Sequence, residues 1–135
     1  MLDVLANRSG LLGLSGLSGD IRDLTEAAEH GNERARLAMD VYVADIRRYL
    51  GAYLVELGGA DAIVFTGGIG ENSAAIRAGV CRNLEELGIV LDPALNGKAR
   101  GEARIHAPES RVQVWTLPTN EELIVARLAR QLLEG

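Results

Sequence analysis

One stretch, Ala62–Ser73, constrains the fold more than any other part of the chain. It begins with the continuous apolar run Ala62–Phe65, which is typical of a strand buried on both faces of a parallel sheet. Three glycines follow this run: Gly67, Gly68 and Gly70. Asn72 and Ser73, both favourable N-cap residues, then begin a helical pattern. The stretch therefore predicts a central strand, a glycine turn and a helix N-terminus within an α/β fold.

The glycine turn has two possible roles. A strand, a glycine turn and a helix N-terminus together place backbone N–H groups and the positive end of a helix dipole beside a potential anion. The spacing of the glycines matches neither the Walker A motif nor the dinucleotide-binding fingerprint. The residues alone leave open whether the turn binds a phosphorylated ligand or is a tight connection that requires glycine.

Four blocks of the sequence resemble the acetate kinase family and occur in that family's order. The motif Phe-Thr-Gly-Gly-Ile-Gly-Glu-Asn-Ser at Phe65–Ser73 closely resembles its adenosine motif. The other blocks are Ser9–Leu24, Gly31–Tyr42 and Leu117–Arg127. The resemblance is to the C-terminal portion of the enzyme only, and Met1 would correspond to an internal methionine. It implies that residues 1–135 form the C-terminal, nucleotide-binding portion of a ribonuclease-H-like (actin-like ATPase) domain, with an incomplete sheet.

The resemblance also implies phosphoryl transfer between ATP and a short-chain carboxylate, acetate or propionate, giving ADP and an acyl phosphate. It assigns these residues to the adenosine pocket: Asp20, Ile21, Arg22, Gly68, Ile69, Gly70, Glu71 and Asn72. Glu121 is implied to be a Mg²⁺ ligand. The family's catalytic aspartate and acyl-binding arginines belong to the portion that is not matched, so no catalytic residue is predicted here.

Two of these assignments have simpler explanations in local structure. Asp20 precedes a predicted helix and is a favourable N-cap residue. Glu121 lies in the Thr119–Glu122 capping box, where a carboxylate in the first helical turn contributes roughly 0.3–1 kcal/mol without any metal.

A long helix is predicted from the cap Asn32 to Leu57, and it carries two apolar stripes. The first stripe contains Ala38, Tyr42, Ile46, Tyr49, Tyr53 and Leu57, and the second contains Val43, Leu50 and Leu54. Two apolar faces require two partners. This pattern predicts a homodimer, or contact with an N-terminal portion of the enzyme. It also supports an alternative function, in which the chain is a catalytically inactive fragment that acts only as a self-association module.

Composition limits the partners. The net charge of −5 argues against binding to nucleic acid or to an anionic membrane. The single cysteine excludes an internal disulfide and fits a cytoplasmic protein. No apolar run reaches the length of a membrane span, and the first residues do not resemble a signal peptide. His30 and His106 lack partners at zinc-ligand spacing.

Other local patterns predict the remaining elements. Ser9–Gly19 is predicted to be a glycine-rich loop, Asp20–Glu29 a short helix and Ser73–Leu87 a longer helix with Cys81 as an inert core residue. Further predictions are a short strand at Ile89–Leu91, a surface loop at Asn96–Glu102, an edge strand at Arg104–Ala107 and a strand at Val112–Leu117.

Overall fold

A computed structural model describes residues 8–119 and 121–134; within the last helix, side chains are described at Leu123 and at 127–133. In chain order the elements are α1 (Gly10–Ser15), α2 (Ile21–Glu29), α3 (Glu33–Glu56), β1 (Ala62–Phe65), α4 (Gly67–Asn72), α5 (Ala74–Cys81), a 3-10 turn (Glu85–Leu87), α6 (Pro93–Lys98), β2 (Ala103–Arg104), β3 (Gln113–Thr116) and α7 (Glu121–Glu134). In the described part of the chain, no helix is long and apolar enough to cross a membrane.

Side-chain caps set the starts of the two predicted helices near the N-terminus. The Asp20 carboxylate accepts a hydrogen bond from the backbone N–H of Arg22 at 2.8 Å and begins α2. The Asn32 side chain accepts from the N–H of Ala35 at 3.0 Å and begins α3, which has 24 residues. Both caps satisfy backbone donors that a helix N-terminus would otherwise leave unpaired, and both helix predictions are confirmed.

The prediction of a loop over Ser9–Gly19 is wrong, because the run contains helix α1. Gly16 ends this helix in the left-handed conformation (φ 65°), and its N–H donates to the carbonyl of Leu12 at 2.8 Å. The guanidinium of Arg34 donates to the carbonyl of Leu14 at 3.0 and 3.2 Å. The second contact comes from α3, so no pattern within the run itself indicates it.

The three strands form one sheet in the order β1-β3-β2. β1 pairs parallel with β3, with Ile63 opposite Val114, and β2 pairs antiparallel with β3. β1 is therefore an edge strand in the described part of the chain, and the prediction that it is central is wrong. It is not buried on both faces either, because Ile63 and Phe65 are half-buried whereas Val64 is 46% exposed. Ile63 and Phe65 pack against the buried residues around β3, and Val64 lies on the more exposed face of the strand.

The segment after β1 contains more helices, and shorter ones, than predicted. The glycine turn is itself the short helix α4, and α5 ends at Cys81 instead of continuing to Leu87, because Asn83 adopts a positive φ of 56°. Helix α6, capped by Asp92, extends to Lys98 and so replaces the first three residues of the surface loop predicted at Asn96–Glu102. The predicted strand at Ile89–Leu91 contributes only an isolated bridge to His106, and β2 covers only the start of the predicted edge strand.

Three groups of buried residues hold these elements together. One surrounds β3 and includes Cys81, which is 4% exposed as predicted for a core residue; burial raises the pKa of its thiol to about 11. A second joins α2 to α5 through Ile21, Ile76 and Val80, and a third joins α2 to α3. Helices α2 and α5 therefore pack against each other beside α3, and this packing brings their N-termini together.

Candidate functional site

A cleft of about 1010 Å³ lies between the N-terminus of α2 and the junction of α4 with α5. Its lining includes six of the eight residues that the sequence assigns to an adenosine pocket: Asp20, Ile21, Arg22, Gly68, Ile69 and Asn72. The first three and the last three are far apart in the sequence. The cleft has the size and the mixture of apolar and polar groups that are typical of a small-molecule site.

The α2 wall of the cleft is held by an exposed ion pair. Nη2 of Arg22 lies 2.6 Å from a carboxylate oxygen of Asp20, and the two side chains are 88% and 37% exposed. The side-chain hydrogen bond from Arg22 is the main reason that the pKa of Asp20 falls to about 2, and the backbone N–H of Arg22 adds to the effect. Asp20 is thus the N-cap of α2 and also borders the cleft.

The α4–α5 wall exposes backbone to the cleft. A Cβ added at Gly68 would meet no atom within 4 Å, so the space beside this backbone is open. The Asn72 amide donates to the carbonyl of Gly68 at 2.8 Å. The Ser73 hydroxyl accepts from the N–H of Ile76 at 3.3 Å and caps α5. A ligand group can therefore approach the main chain at Gly68 without displacing a side chain.

The electrostatic character of the cleft changes along its length. The N-termini of α2 and α5 both border it, and the positive ends of their dipoles favour negative ligand groups there. Glu26 and Glu29 line the part further along α2, where a negative group is disfavoured. Ile21 and Ile69 supply apolar surface. The arrangement suits a ligand with an uncharged aromatic part and an anionic part.

Gly70 and Glu71 lie next to the cleft but outside its lining, and each makes a specific contact elsewhere. A Cβ at Gly70 would lie 3.3 Å from the carbonyl carbon of Phe65, so this glycine allows α4 to pack closely on β1. Oε1 of Glu71 accepts a hydrogen bond from the N–H of Thr119 at 3.1 Å. Glu71 thereby connects the glycine segment to the chain that leads into α7.

Helix α7 begins at Glu121, and the side chain of this predicted magnesium ligand lies outside the described residues, as does Asn120. The part of the chain that the structure describes contains no group of three or more His, Cys, Asp or Glu side chains placed to hold a metal ion. The contact between Glu71 and Thr119 brings the start of α7 close to α4.

Sequence reasoning missed Arg77, which is buried behind this wall with 1% exposure. Its guanidinium donates to the carbonyls of Gly70 and Glu71 at 2.9 and 2.8 Å. It also donates to Oδ1 and to the backbone carbonyl of Asn96 at 2.7 and 2.8 Å. Asn96 lies on α6, far from Arg77 in the sequence, and no local pattern predicts this contact.

A second cleft, of about 670 Å³, lies between α3, α5 and α6. None of the residues that the sequence singled out for ligand binding lines it. We therefore treat the cleft between α2 and the α4–α5 junction as the candidate site.

Comparison with known proteins identifies the family. The sequence model of the acetokinase family matches residues 1–127. The chain belongs to the acetokinase family. Acetate kinase from Dictyoglomus turgidum is 51% identical over 127 residues, which cover 94% of this chain and 31% of that protein. Acetate kinase from Methanosarcina barkeri is 53% identical over 135 residues, covering 98% and 33% respectively. The chain thus spans about a third of the length of these curated relatives.

Solved acetokinase structures share the fold. Acetate kinase from Porphyromonas gingivalis matches with a TM-score of 0.88 and 44% identity over 98% of this chain and 33% of that one. A propionate kinase from Francisella tularensis matches with a TM-score of 0.83 and 34% identity, covering 93% and 32%. These matches confirm the predicted resemblance and the α/β, actin-like fold class with an incomplete sheet.

Proposed function

We propose that this chain supplies the nucleotide-binding half of an ATP-dependent kinase that phosphorylates a short-chain carboxylate, converting acetate and ATP into acetyl phosphate and ADP. The observation that carries the proposal is the cleft, in which residues 20–22 and residues 68, 69 and 72, which are distant in the sequence, line one cavity. Both segments resemble adenosine-pocket segments of acetate kinases, and the chain belongs to that family.

Each wall has a role in binding the nucleotide under this proposal. Ile21 and Ile69 provide apolar surface for the adenine base, and Gly68 lets the nucleoside approach the backbone. Arg22, whose side chain is 88% exposed, retains donors that can face a hydroxyl or a phosphate. Glu121 would bind Mg²⁺, which commonly uses one or two carboxylates together with phosphate oxygens. The ion would neutralise phosphate charge during transfer.

None of the described residues has been assigned a role in binding the carboxylate substrate. In-line phosphoryl transfer requires both substrates in one closed site. We therefore expect no acetyl phosphate formation by the isolated 135-residue chain. The relatives include both acetate and propionate kinases, so either acid fits the proposal. The proposal also includes a cytoplasmic location and assembly of the protein as a homodimer.

The second candidate function is self-association without catalysis. The observation that favours it is the exposed apolar surface at the C-terminal end of α3 and just beyond it. Four apolar residues there are exposed: Tyr49 (53%), Tyr53 (62%), Val55 (80%) and Leu57 (74%). A titration with ATP separates the two functions, since a nucleotide-binding half retains affinity for ATP and a pure association module does not. Light scattering at tens of micromolar tests the dimer in the same samples.

Glu121→Ala in a complete acetate kinase that contains this chain tests the metal assignment. We expect a lower kcat and a higher Mg²⁺ requirement, because the variant removes an oxygen ligand of the nucleotide-bound ion. Glu85→Ala is the control, since Glu85 is an exposed acidic residue in the first turn of another helical segment. Unchanged Mg²⁺-ATP dependence in a normally folded Glu121→Ala enzyme would contradict the assignment.

A further inference from the structure

We propose that Arg77 and Asn96 are positioning residues that hold the α4–α5 wall of the cleft in its binding conformation. The inference rests on the proposed nucleotide function of that wall. Arg77 does not line the cleft. It acts through the backbone of α4, and Asn96 acts through Arg77 and through α5.

The contacts of Arg77 end on the carbonyl end of α4. A helix C-terminus leaves its last carbonyls without partners inside the helix. Nη1 of Arg77 donates to two of them, those of Gly70 at 2.9 Å and Glu71 at 2.8 Å. The residues that line the cleft from α4 lie in the same short helix, within three positions of these carbonyls. Fixing the carbonyls therefore fixes the wall.

Asn96 completes the arrangement from the other side. Its Oδ1 and backbone carbonyl accept from Nε and Nη2 of Arg77, at 2.7 and 2.8 Å. Its own amide donates to the carbonyl of Ala74 at 2.9 Å. Ala74 is the first residue of α5 and borders the cleft. The pair thus holds the end of α4 and the start of α5 at once.

Burying the positive charge of Arg77 is unfavourable, so its hydrogen bonds must have good geometry to offset that cost. All four hydrogen bonds end on uncharged oxygens, so the buried guanidinium has no carboxylate among these partners. Burial lowers the pKa of Arg77, and the positive charge of Arg100 lowers it further. A buried cation without a counter-ion is unfavourable unless it is fully hydrogen-bonded. A planar guanidinium can donate to three backbone carbonyls and one side-chain oxygen at fixed angles, which a lysine ammonium cannot reproduce.

A preformed wall improves ligand binding because the ligand does not have to order it. Without Arg77, the last turn of α4 would lose its connection to α6. We therefore expect α4 to open more often and the nucleotide to bind less tightly. If Arg77 contributed only to overall stability, replacing it would lower the unfolding temperature but would not speed amide hydrogen exchange specifically in α4.

The test compares Arg77→Lys and Arg77→Met with Arg47→Met in the 135-residue chain. Arg47 is a matched control because its Nη1 also donates to carbonyls at a helix end, those of Val80 at 2.7 Å and Arg82 at 2.6 Å, and neither residue lines the candidate cleft. Three quantities are measured: the unfolding temperature, amide hydrogen exchange over 67–76, and the Kd for ADP by equilibrium dialysis.

All three variants should lower the unfolding temperature, but only the Arg77 variants should change α4. Loss of charge-assisted hydrogen bonds predicts exchange at 67–76 faster by about 10-fold or more and an ADP Kd raised by a similar factor. Arg47→Met should leave both quantities within about 2-fold of the original chain. Lysine should not rescue binding, because it keeps the charge but not the planar set of donors.

The positioning role is overturned if Arg77→Lys leaves both the exchange at 67–76 and the ADP Kd unchanged while it lowers the unfolding temperature like Arg47→Met. If the Arg77 variants do not fold, Asn96→Ala decides: faster exchange confined to 70–77 supports the role, and unchanged exchange there overturns it. If the original chain binds no ADP, the nucleotide proposal fails, but the exchange data still decide whether the pair positions the wall.

Discussion

The two walls of the cleft are held in opposite ways. Asp20 and Arg22 hold the α2 wall with an exposed ion pair between residues two positions apart. Arg77 and Asn96 hold the α4–α5 wall with buried hydrogen bonds between residues nineteen positions apart. Exposed pairs contribute little to stability and are screened by salt, whereas breaking a buried contact leaves unpaired polar groups. The α2 wall can adjust to a ligand, and the α4–α5 wall is a fixed template.

The largest effect is expected where the fixed wall meets the sheet. Gly70→Val places a branched side chain where even a Cβ lies 3.3 Å from the backbone of Phe65. Backbone cannot move aside as a flexible side chain can, so we expect a loss of about 1–3 kcal/mol in the free energy of unfolding. Urea unfolding measures this loss. A variant as stable as the original chain would show that the fixed wall tolerates displacement, and the contrast between the walls would fail.

A smaller effect is expected in acid at the α2 wall. The pKa of Asp20 is lowered from 3.8 to about 2 in the folded chain, chiefly by the hydrogen bond from Arg22. Its contribution to stability is therefore complete well above pH 3.8 and is lost as the pH falls through about 2, below which the carboxylate is protonated in both states. Asp20→Asn keeps a good N-cap residue but cannot ionise, so it should remove this part of the acid sensitivity.

Unfolding temperatures of the original chain and of Asp20→Asn between pH 2 and 5 measure the effect, with 1 M NaCl as a second condition. Salt should reduce the difference between the two chains because the ion pair is exposed. An acid slope that is the same in both chains would mean that the α2 wall does not depend on this pair.

The contrast also explains which features the sequence predicted. Asp20 and Asn32 cap their helices through contacts within three residues, so local patterns indicate both starts. Strands β1 and β3 follow from runs of apolar and alternating residues. The family resemblance assigned eight residues to an adenosine pocket, and the structure places six of them along one cleft.

The features that the sequence did not predict depend on distant contacts. Near the end of helix α1, the carbonyl of Leu14 accepts a hydrogen bond from the guanidinium of Arg34 on α3. Asn96 is buried because its side chain accepts a hydrogen bond from Arg77 on α5. The edge position of β1 depends on which strand pairs with β3, a choice that its own apolar run does not determine. In each case the deciding partner lies outside the local window.

The most direct test of the central claim, that this cleft binds a nucleotide, compares Gly68→Ala with Gly51→Ala by their Kd for ADP. A Cβ at either position meets no atom within 4 Å, and both glycines lie in helices, but only Gly68 lines the cleft. Neither change should destabilise the fold, and Gly51→Ala should stabilise it by up to about 1 kcal/mol. We predict that Gly68→Ala raises the ADP Kd by about 10-fold, because a ligand that contacts the backbone loses close approach, while Gly51→Ala leaves it unchanged. An equal Kd for both variants and the original chain would contradict the claim.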